Sequence, residues 1–320
     1  MGIEASPSVK YAIIEETTKR DNNLLKIAKL CEIAGVSRSG YYNWVNGAPH
    51  REEAEKKDQA DFSLVKKAYQ YRGYAKGARQ IHMRMLHQKP IVIMNIKKIR
   101  RLMKKYGLRC PIRKANPYRR MAKALATSNV APNLLNREFR KYGERKVLLT
   151  DITYLFYNGE KCYLSVIIDA YTKQVLSFKL SRSLEVDFVL ETFDEMVKKH
   201  GESLSKDTLV HSDQGCHYTS YKFIEIVNNS EVRQSMSRRA NCWDNAPQES
   251  FFGHMKDEID LSECEAYEQV VALISDWIDY YNNERYQWEL AKLSPNEFYE
   301  YVKSGIYPLP GVSPQMKISY

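Results

Sequence analysis

Residues 208–220 read TLVHSDQGCHYTS. A short apolar run, Thr208 to Val210, leads into His211, Ser212 and Asp213, and a glycine follows at 215. The run reads as a short buried strand, with Asp213 at its C-terminal end where the chain turns away. An Asp ahead of a glycine is also an ordinary turn former. Whether Asp213 turns the chain or does chemistry depends on the partners that the rest of the sequence brings to it.

Upstream, KVLLTDITYLF (146–156), KCYLSVIIDA (161–170) and QVLSFKLS (174–181) are apolar runs rich in β-formers. Asn158-Gly159 and Tyr171-Thr172-Lys173 punctuate them as turns. A helix follows, with Val186, Val189, Leu190, Phe193, Met196 and Val197 at helical spacing and Gly201 closing it. Beyond Asp213, SYKFIEIVNN reads as a helix, VRQSMS as a strand, NAPQESFFGHMKDEI as a helix, and AYEQVVALISDWIDYYNNER as a long aromatic helix that comes last. The expected order is β-β-β-α-β-α-β-α-α.

Asp151 lies inside the first apolar run, and an acid there is costly to bury unless it is paired or binds a cation. If the first and fourth strands are neighbours, Asp151 and Asp213 lie side by side, and a metal must bridge them or one must hold a proton. Oxygen-only ligation suits Mg²⁺ or Mn²⁺. In NAPQESFFGHMKDEI, Phe251, Met255 and Ile259 make one face, and Glu249 and Lys256, two turns apart, share another. That pairs an acid for a metal with a cation for a phosphate.

Charge divides the chain. Residues 1–150 hold 33 Lys and Arg against 12 Asp and Glu, a net +21, whereas the remaining 170 carry −11. A charge run is usually a solvated face, but an excess confined to one half marks a polyanion-binding region. Residues 24–45 read as two short helices about Gly35 with Ser37 as N-cap, the outline of a helix-turn-helix, although a plain helical hairpin reads the same way. Arg38, at the start of its second helix, is a candidate DNA contact. Residues 51–69 read as a solvated connecting helix. Residues 95–107 read as a cationic helix capped by Asn95 and closed by Gly107, with Lys97, Lys98, Arg101, Lys104 and Lys105 on its polar face as candidate phosphate contacts.

No stretch approaches the length of apolar sequence that a membrane helix needs, and no signal peptide is visible at the N-terminus. A soluble intracellular protein is therefore expected. The six cysteines form no C-x-x-C, so a zinc knuckle or disulfide framework is not expected. His211 and His217 flank Asp213 without the partners of a zinc site, and they are read as orienting the acid or touching DNA. Asp244 or Asn245 is read as the N-cap of the Glu249 helix, and Trp243, Trp277, Tyr280 and Tyr281 as packing residues. No phosphate-binding Walker motif is present.

Asp151, Asp213 and Glu249, the last two separated by 35 residues, resemble the DDE triad of retroviral-type integrases and bacterial transposases. Lys256 matches the basic residue such enzymes carry seven positions past the Glu. TDITYL, HSDQGCHYTS, SMSRRANCWDNAPQESFFG and YYNNERYQWELAKLSPNEFY resemble, in order, the motifs of the insertion-sequence-three family of transposases. Leu148 departs from the pattern, standing where the family often has Trp. YRGYAKGARQI (71–81) is a loose form of another family pattern.

The resemblance implies an RNase H-like α/β core, a mixed five-stranded sheet with flanking helices, preceded by all-α helix-turn-helix DNA-binding segments. The expected boundaries are 1–58 for a helix-turn-helix-like segment, 59–113 for a second basic helical segment, 114–146 for a basic linker, 147–305 for the catalytic core and 306–320 for a tail. It also implies a transposase that cuts and joins the ends of its own mobile element by hydrolysis and then 3′-OH strand transfer, with two Mg²⁺ (or Mn²⁺) ions on the triad. Asp169 is treated as a supporting position, and Asn282 and Arg285 match the tail motif without an assigned role. The implied partners are DNA, both terminal inverted repeats and target, a homo-oligomer assembled on that DNA, and an upstream-frame helix-turn-helix and leucine-zipper segment. The implied location is the bacterial cytoplasm, on the nucleoid. Two other classes fit the basic half: a DNA-binding regulator with an inert nuclease-like domain, and a nuclease that stops after hydrolysis.

Overall fold

The computed structural model describes residues 5–74, 76–110, 133–135, 141–230, 232–237 and 245–314. Most of the expected linker, and Asn241, Trp243 and Asp244, lie outside them. The chain forms two compact units, one of Met1–Lys67 with Arg101–Gly107, the other of Ala68–Arg100 with Leu108–Tyr320.

In the first unit, α1 (Pro7–Thr18), α2 (Ile27–Ala34) and α3 (Arg38–Asn46) close around Ile14, Leu30, Cys31 and Tyr41. Gly35 ends α2 in the left-handed conformation at φ 65°, and the Ser37 hydroxyl accepts from Gly40 N at 3.1 Å to start α3. These are the turn and cap that the sequence proposed. α1 was not expected, yet it supplies Glu15, whose carboxylate accepts from the Tyr41 hydroxyl. The helix foreseen over 51–69 is α4 (Ala48–Gln70). In this unit its Asp58 takes a bidentate pair from Arg101 of α6 (Ile96–Lys105), both bonds at 2.6 Å, and a third bond from Lys105 at 2.7 Å.

The second unit is built on five strands in the order β3-β2-β1-β4-β5: β1 (Val147–Tyr157), β2 (Glu160–Asp169), β3 (Val175–Ser181), β4 (Leu209–Ser212) and β5 (Arg233–Met236). β1 to β3 are antiparallel, and β4 and β5 run parallel to β1. This is the mixed sheet of an RNase H-like fold. Asn158 and Gly159 have positive φ, at 41° and 74°, as the two central residues of a tight β1–β2 hairpin must.

Helices cover both faces, as expected. On one face α9 (Ala246–Glu258) and α10 (Tyr267–Asn283) pack Phe251, Met255, Ile274 and Trp277 against Val147, Leu149, Leu164 and Val166. On the other, α7 (Asp187–His200) and α8 (Tyr221–Asn229) pack Phe193, Met196, Phe223 and Val227 against Leu148, Ile167 and Val210. Trp277, Tyr280 and Tyr281 are core residues. α10 is not the last helix: α11 (Pro295–Ser304) follows. The signal for it was present as Ser294-Pro295-Asn296-Glu297, a capping box in which Ser294 Oγ accepts from Glu297 N and Glu297 accepts from Ser294 N.

α5 (Ala78–Leu86) belongs to this unit too, with Leu86 packed among Leu290, Leu293, Phe298 and Leu309. Just before it, the buried Lys76 ammonium donates to the carbonyls of Tyr69, Tyr71 and Tyr74, so it closes the C-terminal end of α4. Burial lowers its pKa to about 8. Leu135, inside the run read as a polar linker, is fully buried in the sheet's core. Among the described residues no helix is long and apolar enough to cross a membrane.

Candidate active site

β1 and β4 pair in parallel as Val147↔Leu209, Leu148↔Val210 and Leu149↔His211. Two residues further along each chain stand Asp151, still in β1, and Asp213, one residue past the end of β4. The paired register ends two residues before the acids, so it carries Asp151 and the turn that holds Asp213 toward the same edge of the sheet. Alternation puts Asp151 on the face that carries Val147 and Leu149, the face covered by α9. Asp151 is half-buried and accepts from Ile152 N at 2.8 Å. Asp213 is exposed, and its Oδ1 accepts from Gly215 N at 2.9 Å. A Cβ at residue 215 would stand 2.9 Å from that same oxygen, so only glycine lets the carboxylate take this position. The turn former and the candidate ligand are one residue.

α9, which carries the third candidate acid, is tied to the sheet beside Asp151. Gln248 Nε2 donates to Val166 O at 3.3 Å, and Val166 is the β2 residue directly opposite Asp151. Glu249 is the next residue, in the first turn of α9. Two turns on, Lys256 Nζ donates to Thr153 Oγ1 at 2.6 Å, on the same face of β1 as Asp151. Lys256 is exposed by surface area, but partial desolvation against the sheet pulls its pKa down, and the Asp151 charge pushes back.

Beneath the two aspartates lies Tyr218, with its hydroxyl 3.3 Å from Thr150 Oγ1. Burial holds this hydroxyl well above the usual phenol range, and the charges of Asp151 and then Asp213 add to the effect. His211 is fully buried, with Nδ1 2.9 Å from Ser235 Oγ on β5, and His217 Nε2 lies 2.8 Å from Leu184 O. Both histidines fasten the strand and turn that present Asp213. Asp169 is buried beside the start of β1, opposite Leu148, where its carboxylate takes the Arg145 guanidinium and backbone amides of Arg145, Tyr171 and Thr172.

The tail motif acquires roles that its residue types did not reveal. Asn282 bonds both N and O of Val175 at 2.9 Å and so pins β3 to α10. Arg285 grips Glu258, the last residue of α9, through Nε and Nη2 at 2.8–3.2 Å, and Trp277 Nε1 donates to the same carboxylate at 3.0 Å. The helix that carries Glu249 is clamped at its far end by residues 19 to 27 positions away. Asn245 occupies the N-cap position of α9 without a side-chain capping bond.

Of the candidate DNA contacts, Arg38, Lys97 and Lys104 are exposed and Lys98 is half-buried, whereas Arg101 and Lys105 are engaged with Asp58. Three carboxylates and no sulfur or imidazole make a donor set suited to a hard divalent cation. Among the described residues, no three His, Cys, Asp or Glu side chains stand close enough together to hold an ion as they are. The chemistry of the three carboxylates suits a cation, although as they stand they are not grouped to hold one.

Comparison with known proteins agrees with this frame. Residues 141–242 and 230–295 match models of the integrase core domain, and residues 56–116 match an HTH-like domain. The second unit thus carries an integrase core, the fold of a polynucleotidyl transferase. The transposase for insertion sequence element IS904 of Lactococcus lactis is 30% identical over 214 residues, 66% of this chain and 82% of the relative. Transposase InsF for insertion sequence IS3A of Escherichia coli is 26% identical, covering 91% of this chain and 98% of its own. The 31 kDa protein of insertion element IS600 of Shigella sonnei is 29% identical over 85% and 97%. The chain belongs to the insertion-sequence-three family of DDE transposases. Among solved structures, a simian T-cell lymphotropic virus intasome aligns at 14% identity with a TM-score of 0.41, covering 71% of this chain and 73% of that one.

Proposed function

We propose that this transposase cuts and joins the ends of its own insertion sequence in two successive in-line attacks at one site formed by Asp151, Asp213 and Glu249. The observation that supports the reading is the register: the β1–β4 ladder runs up to two residues before both aspartates, and Gln248 ties α9 to the residue opposite Asp151. Integrase-core enzymes of this kind use divalent metals, and a bound Mg²⁺ pair would supply Lewis-acid stabilisation of the attacking and leaving oxygens. Asp151, Asp213 and Glu249 would hold those ions. The bond from Gly215 N would hold the Asp213 carboxylate in place for that ion. Lys256, fixed to Thr153, stands on the same face to meet a phosphate of the bound strand. In the first attack water frees a 3′-OH, and in the second that 3′-OH attacks another phosphodiester. Hydrolysis runs downhill and the second attack, a transesterification, makes one phosphodiester for each it breaks, so no nucleotide triphosphate is needed. Arg38, Lys97, Lys98 and Lys104 are proposed phosphate contacts. Holding two element ends at once requires more than one copy on the DNA.

The test incubates the protein with labelled element ends and Mg²⁺. Joined strands made by the native protein, lost in Asp213→Ala while DNA binding persists, are the expected result. Undiminished joining by Asp213→Ala overturns the site, and cleavage without joining by the native protein marks a nuclease instead.

A further inference from the structure

The β1–β4 ladder stops at Leu149↔His211, two residues short of the acids. Past that point a side chain, that of Tyr218, ties the two segments together. Tyr218, five residues after Asp213, is 1% exposed, with its ring edge-on to Phe223 at 5.2 Å and its backbone carbonyl accepting from Gln234 Nε2 at 2.8 Å. Its hydroxyl lies 3.3 Å from the Oγ1 of Thr150, itself 1% exposed and the residue immediately before Asp151. A phenyl ring alone would fill this part of the core. A buried hydroxyl is costly unless it is bonded, and Thr150 is the partner the fold provides. The link therefore joins the turn that carries Asp213 to the strand that carries Asp151, and both carboxylates are near enough for their charges to act on the hydroxyl.

We infer that Tyr218 is a positioning residue: through Thr150, its hydroxyl sets the separation of Asp151 and Asp213 for a divalent cation. The inference rests on the proposed role of those two acids as cation ligands. Tyr218 touches neither ion nor DNA in this account, and its effect passes through the strand and turn it joins.

The test titrates Mn²⁺ into the full chain and measures unbound Mn²⁺ by electron paramagnetic resonance, with thermal unfolding followed in the absence of metal. Asp213→Ala defines the part of the binding that belongs to the site. Tyr218→Phe is expected to weaken that part by up to about 10-fold, the lower end of what losing a partner bonded directly to a ligand costs, with metal-free unfolding lowered no further than in Thr150→Val. Thr150→Val is expected to weaken it similarly, the Tyr218→Phe/Thr150→Val double variant no more than either single, and Thr150→Ser to bind like the native chain. Native-like Mn²⁺ binding by Tyr218→Phe, with Asp213→Ala still defective, overturns the inference and leaves the site standing. Native-like binding by Asp213→Ala overturns both. If Tyr218→Phe does not fold, the Thr150 pair decides: Val weak and Ser native-like supports the link, and Val and Ser alike refutes it.

Discussion

Replacing Arg285 with Met should loosen α9 far more than the loss of one surface charge would. Arg285 and Glu258 are 6% and 7% exposed, and the guanidinium makes three bonds of 2.8–3.2 Å to the carboxylate. Arg285→Met leaves the Glu258 carboxylate buried with only the Trp277 N–H, at 3.0 Å, to answer it. Stranding one partner of a buried pair costs about 3–5 kcal/mol, out of roughly 5–15 kcal/mol that holds a domain folded. At about 1.4 kcal/mol per tenfold, local opening of this helix pair should become roughly 10²–10⁴ times more frequent. Hydrogen exchange at pH 7, read on peptides from α9 and α10, measures this directly. The double variant Glu258→Leu/Arg285→Met strands no charge and should recover most of the protection. A change under tenfold in Arg285→Met, or a double variant less protected than the single, would refute the view of this pair as the clamp on α9.

Two further substitutions address the site itself. Gly215→Ala places a Cβ 2.9 Å from Asp213 Oδ1, so the carboxylate must shift; joining should fall, by less than the roughly 10²-fold that a 1 Å misplacement costs, with thermal unfolding little changed, and full activity in this variant would contradict the placement. Lys256 loses its proton at lower pH than an ordinary lysine because partial desolvation disfavours its charge, so activity that needs the cation declines early on the alkaline side; Lys256→Arg, charged throughout, should move that decline to higher pH, and superimposable pH–rate profiles would show that the charge is not used.

The catalytic frame was legible because its signals are local. Strand alternation, the Asn158-Gly159 turn and the stop at Asp213 each sit within a few residues of sequence, and the α9 periodicity placed Glu249 and Lys256 together. What was hidden depends on partners far apart in the chain. Arg285 and Glu258 are 27 residues apart, and nothing in either residue type names the other. The basic excess of the N-terminal half read as a DNA footprint, yet part of it is neutralised inside the protein. Arg72 pairs with Asp276 and Glu284, Arg84 with Glu284, Arg101 with Asp58, and Lys76 closes a helix end. Leu135 sits in a run whose polarity hid its place in the core. Tyr218 looked like one more aromatic in a motif, because a hydroxyl's partner is set by the fold and not by spacing.

The claim that Asp151, Asp213 and Glu249 serve one cation site is tested most directly by replacing Mg²⁺ with Fe²⁺ and mapping where locally generated hydroxyl radicals cut the polypeptide. A shared site predicts cuts in three segments together, in β1 beside Asp151, in the turn at Asp213–Gly215 and in the first turn of α9, all suppressed by excess Mg²⁺ and all lost in Asp213→Ala. Cuts confined to one of these segments, or persisting there in Asp213→Ala, would contradict it.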